Sequence, residues 1–78
     1  MMNLLKSQIS SILSEEPVSD SIFPVGEYGR IAVYVTAGIG YTIQAFDKEN
    51  LLFSVTDFEY SAAVHKFIKI LDSDNKNY

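Results

Sequence analysis

"RIAVYVTAGIGYTIQAFDKENLLFSVT", residues 30–56, sets the architecture expected of this chain. Three runs inside it alternate at period two. Ile31, Val33 and Val35 alternate with Ala32, Tyr34 and Thr36. Tyr41, Ile43 and Ala45 alternate with Thr42, Gln44 and Phe46. Leu51, Phe53 and Val55 alternate with Leu52, Ser54 and Thr56. Successive side chains of a strand point to opposite faces, so this pattern suits half-buried strands. One face collects mainly aliphatic side chains. The other mixes hydroxyl, amide and aromatic groups. The runs are predicted to form an antiparallel meander with its aliphatic face covered.

The connectors support that reading. In "TAGIGYT", residues 36–42, two glycines are separated by one residue. A dinucleotide fingerprint needs G-x-G-x-x-G opening a helix. Here Ile43 stands at the third glycine's place, and a strand pattern follows. The Gly-Lys-Ser/Thr ending of a phosphate loop is also missing. Gly38 and Gly40 therefore read as a hairpin corner, where positive φ is needed. "DKEN", residues 47–50, suits a second tight turn.

Helical patterns flank the meander. Met2, Leu5, Ile9, Ile12 and Leu13 fall on one stripe, opposite Asn3, Ser7, Ser10 and Ser14, and Pro17 is expected to end this helix. Near the other end, "TDFE" (56–59) has the form of a capping box with Thr56 as N-cap. Tyr60, Ala63, Val64, Phe67, Ile68 and Leu71 then make a broad apolar stripe. Residues 72–78 read as a flexible polar tail.

Residues 17–29 read as irregular loop, since they hold two prolines and two glycines. Within them, Ser21–Val25 is a candidate short fourth strand, because Pro24 is tolerated on a sheet edge. Run 30–36 carries its only charge at Arg30 and would otherwise be an apolar edge. Either Ser21–Val25 or a second molecule would cover it. The first cover accounts for apolar Ile22, Phe23 and Val25 inside a loop and is preferred. The expected architecture is α+β: a two-layer α-β-β-β-α domain spanning 1–78, with both helices on one face of the sheet.

Composition narrows the function. The 78 residues hold ten acids against six bases, a net charge of −4, and no cysteine. The absence of cysteine removes disulfides, thiolate metal sites and cysteine nucleophiles, and it fits a reducing compartment. The acidic balance argues against phosphate neutralisation and anionic membranes, and it favours a basic protein partner. "MMNLLKSQISSILSEEP" (1–17) lacks the long apolar region and cleavage site of a signal peptide. The expected location is the cytoplasm.

No pattern of catalytic or metal-binding groups emerges. His65 is the only histidine, and its helical neighbours do not converge on it as triad partners do. "GEYG" (26–29) lies between extended segments and not between helices, and it carries an acid where backbone phosphates would lie. "DSDN" (72–75) lacks the glycine and bidentate glutamate of a calcium loop. Neither a catalytic residue nor a cofactor is expected. Two sets of side chains remain. Glu15, Glu16, Asp20 and Glu27 make the first half acidic, and Tyr28, Tyr34, Phe46 and Phe58 are expected to be exposed aromatics. These eight are the candidate protein-binding residues, on a monomer or homodimer without direct nucleic-acid contact.

In size, charge and architecture the chain resembles small inhibitors carried by phages and mobile elements, anti-CRISPR proteins among them. The resemblance implies an inhibitor docking on a basic surface of a nucleic-acid-processing complex. The alternative is a homodimeric structural or regulatory adaptor, antitoxin-like or an assembly protein.

Overall fold

A computed structural model describes residues 6–75. The elements run α1 (Lys6–Ile12), β1 (Ser21–Val25), β2 (Gly29–Thr36), β3 (Gly40–Asp47), β4 (Asn50–Asp57) and α2 (Tyr60–Asn75). The strands form one antiparallel sheet in the order β1-β2-β3-β4, and both helices pack on one side of it. The fold is α+β, and Ser21–Val25 is the fourth strand.

β1 covers the edge of β2, with Ser21 opposite Val33 and Val25 opposite Gly29. The alternation of β1 explains its apolar residues. Val25 is buried and Phe23 packs against the core, while Ile22 points to the uncovered face and is exposed. The core joins Ile31, Val33, Ile43, Ala45 and Val55 of the sheet to Ala63, Phe67 and Leu71 of α2 and Ile9 of α1. The Phe67 ring lies 4.8 Å from that of Phe53, centroid to centroid.

Four expectations need correction. First, α1 ends at Ile12 and not at Pro17. Its last turn closes through Leu13 N–H to Ile9 O (2.9 Å), and the Ser14 hydroxyl then donates to Ser11 O (2.7 Å). A serine hydroxyl that satisfies a nearby carbonyl competes with the next helical bond. The buried Tyr60 hydroxyl takes the Leu13 carbonyl at 2.8 Å and so fixes where the chain leaves the helix. Met2 and Leu5 of the expected stripe lie outside the described residues.

Second, Thr56 is not the cap of α2. It belongs to β4, and its hydroxyl pairs with that of Thr42 across the sheet at 3.0 Å. Asp57 leads the chain into the helix instead: its Oδ1 accepts the Glu59 N–H at 3.0 Å in an Asx turn, and its Oδ2 faces Lys66 Nζ at 3.0 Å. Those contacts hold the Asp57 carboxyl below its ordinary range, the Glu59 backbone bond first and Lys66 next. Third, a bulge shifts the register after Ala45, so that Phe46 faces Leu51. An extra residue reverses the alternation. Leu51 therefore leaves the aliphatic face and is exposed. Fourth, α2 continues to Asn75 through the first residues of the expected tail, and Asp72 pairs with Lys6 at 2.8 Å. Residues 76–78 lie outside the described residues.

The 36–42 stretch is a corner. Gly38 and Gly40 have φ of 80° and 109°, and Ile39 N–H bonds Thr36 O at 3.1 Å.

Candidate functional site

The sheet has two ends and one uncovered face, and the eight candidate residues divide among them. Glu27 and Tyr28 lie in the β1–β2 turn. Tyr34 and Phe46 lie on the uncovered face. Glu15, Glu16 and Asp20 lie between α1 and β1, and Phe58 lies in the short link from β4 to α2. Phe58 thus precedes that helix.

Two of the aromatics already carry a cation of the chain itself. The Arg30 guanidinium lies 4.2 Å from the Phe46 ring centroid, and its position is set by a hydrogen bond to the Lys48 carbonyl. Lys48 Nζ lies 4.9 Å from the Tyr28 centroid. A ring face holding a cation is less open to a second one. Asp20 is also engaged, because its Oδ1 accepts the Val35 N–H at 2.8 Å.

The other end is different. Glu16, Tyr41, Phe58, Glu59, Tyr60 and Ser61 line an open recess of about 480 Å³. Tyr41 enters from the start of β3, and Tyr60 from the first turn of α2. Their rings meet edge to face with centroids 5.2 Å apart. The Tyr41 hydroxyl donates to the Glu16 carboxylate. That bond, with some burial and the Glu16 charge, raises the Tyr41 phenol above its ordinary value. Burial first, then the charges of Glu16 and Tyr41, raises the Tyr60 phenol. Phe58 is 70% exposed at the rim. Neither Glu16 nor Glu59 has an ion-pair partner among the described residues. Such a recess can take a cationic side chain between ring faces and carboxylates.

Glu16 and Phe58 were among the sequence candidates. Tyr41, Glu59 and Tyr60 were not. Period-two alternation assigned Tyr41 to the aliphatic face, and the helical stripe assigned Tyr60 to the core. Both assignments fit the rings. The available signal was the hydroxyls, since a buried tyrosine needs a partner for its polar tip.

The uncovered face is poor in charge. Ile22, Leu51 and Leu52 are exposed there, Tyr34 and Phe46 are half-buried, and Arg30 is its cation. A further groove of about 590 Å³ runs between β4 and α2, with Ser54, Val55 and Thr56 on one wall and Lys66, Lys69 and Ile70 on the other. His65 is exposed on α2. Among the described residues, no group of three or more His, Cys, Asp or Glu could hold a metal ion. None of the described helices is long and apolar enough to cross a membrane.

The chain matches no family model, no curated protein and no solved structure.

Proposed function

We propose that this is a cytoplasmic, non-enzymatic protein-binding module whose acidic and aromatic end docks on a basic partner surface. One observation carries the reading: two carboxylates and three aromatic rings line a single open recess. An arginine or lysine inserted there would meet ring faces and Glu16 or Glu59 together. The net charge of −4 would steer such an encounter. In its most specific form the module is an inhibitor of the phage or mobile-element kind, anti-CRISPR-like, acting on a basic surface of a nucleic-acid-processing complex. The homodimeric adaptor is the second reading. It is favoured by the exposed Ile22, Leu51 and Leu52 on the uncovered sheet face.

The test measures binding of arginine-rich and glutamate-rich peptides by calorimetry, with the wild type and with Glu16→Gln and Phe58→Ala. Both variants should fold, because amide replaces carboxylate at Glu16 and Phe58 is largely outside the core. The arginine peptide should bind, lose affinity as salt rises, and bind each variant on the order of 10-fold more weakly. Equal binding of both peptides, or variants indistinguishable from wild type, refutes the docking end. A dimer in dilute solution that dissociates on Leu51→Ser supports the adaptor instead.

A further inference from the structure

The two edges of the sheet are not alike. β1 is five residues long and carries Pro24, which cannot donate to a neighbouring strand. β4 is eight residues long, and among the described residues no strand pairs with its outer side. α2 runs beside that outer side and leaves the groove between them open.

The orientation of the β4 backbone follows from one contact. Lys66 Nζ donates to the Thr56 carbonyl at 3.2 Å, so this carbonyl points outward and not toward β3. Period two along the strand then turns the N–H and C=O of Ser54 outward as well. The Lys66 ammonium occupies the place that a partner strand's N–H would take at Thr56. The wall facing this edge holds Ile70, which lies off the core stripe of α2 and is 40% exposed. Lys69 stands beside it and has no ion-pair partner among the described residues.

We propose that the β4–α2 groove is a second binding site, which takes an extended acidic segment of a partner protein as a fifth strand. The segment's backbone pairs with the N–H and C=O of Ser54 and with the N–H of Thr56, and alternate side chains enter the groove. An apolar one covers Ile70, and a carboxylate meets Lys69, since Lys66 is held by Asp57 and Thr56. Charge selects this occupant over a second copy of the chain. Residues 50–56 contain no acid, and Asp57 is already held by Lys66. A second β4 would bring Lys69 no free carboxylate. The site shares no lining residue with the acidic recess, so either can fail without the other.

The test uses the full chain and short synthetic peptides of alternating valine and threonine with Glu, Gln or Lys at the centre. Affinity is read by fluorescence polarisation, and the contact by amide shifts in an isotope-labelled sample. The Glu peptide should bind at least ~10-fold tighter than the Lys peptide, with shifts at residues 54–56 and 66–70. Methylating its central backbone nitrogen should weaken it on the order of 10-fold, as for a lost strand hydrogen bond. Lys69→Glu, at an exposed position, should keep its melting temperature and reverse the preference. Equal affinities, no binding by any peptide, or shifts confined to Tyr34 and Phe46 overturn the proposal. So does a free protein that sediments as a dimer paired through β4.

Discussion

Gly40 should be much less replaceable than Gly38, which lies two residues away and is its control. Both sit at positive φ, 109° and 80°. A Cβ built on Gly38 meets nothing within 4 Å, whereas one on Gly40 falls under 3.0 Å from the Asp57 carbonyl oxygen and from Phe58 backbone atoms. For Gly38→Ala the cost is conformational, about 1–2 kcal/mol for a left-handed alanine. A stiffer unfolded chain returns about 0.4–1 kcal/mol of that. The net loss is about 0–1.5 kcal/mol. Gly40→Ala bears a backbone term of about 1–3 kcal/mol and an overpacking term of about 1–3 kcal/mol. After the same return, the loss is about 1–5.5 kcal/mol. A 78-residue domain has only about 4–12 kcal/mol in all. The obstruction is backbone, so no side-chain rotation relieves it. Urea unfolding of both variants at equal m-value measures the difference. Equal losses, or a larger one for Gly38→Ala, would show that the β3 start does not press on the β4–α2 link.

Phe67→Ala should cost about 3–5 kcal/mol, because the ring is fully buried and packs on Phe53. Thermal melting checks it, and an unchanged melting temperature would mean that α2 packs through another face. Asp57→Asn should lower stability at neutral pH but not in acid. The folded carboxyl titrates below its ordinary value, so its contribution is present above the unfolded pKa and lost as pH falls through the folded one. Unfolding curves of wild type and variant should therefore converge in acid; a constant gap would assign the loss to packing. Glu16→Gln should lower the Tyr41 phenol toward its ordinary value, since the carboxylate bond and charge raise it. A site-resolved tyrosine titration reads this, and an unmoved Tyr41 would break the Glu16 contact.

Strands β2, β3 and β4, the turns between them and the last helix were legible in the residues alone. Each is a repeating local pattern: Ile31–Val33–Val35 at period two, Ala63–Phe67–Leu71 at helical period, and glycines where φ turns positive. The sequence also made Ser21–Val25 the better cover for β2, because an apolar edge must pair. Long-range contacts settle the places where two local options compete. α1 stops before Pro17, where the Ser14 hydroxyl and the distant Tyr60 hydroxyl take carbonyls near its end. Thr56 can cap a helix or pair with Thr42, and the register of β3 against β4 chose the pair. Leu51 changes face because one bulge reverses alternation beyond it. The acidic recess is of the same kind. Glu16, Tyr41 and Phe58 are far apart in the chain, and they meet because β3 begins where β4 ends and α1 leaves off. Period and propensity act over a few residues, whereas which side chains share an end of the sheet depends on strand order and register.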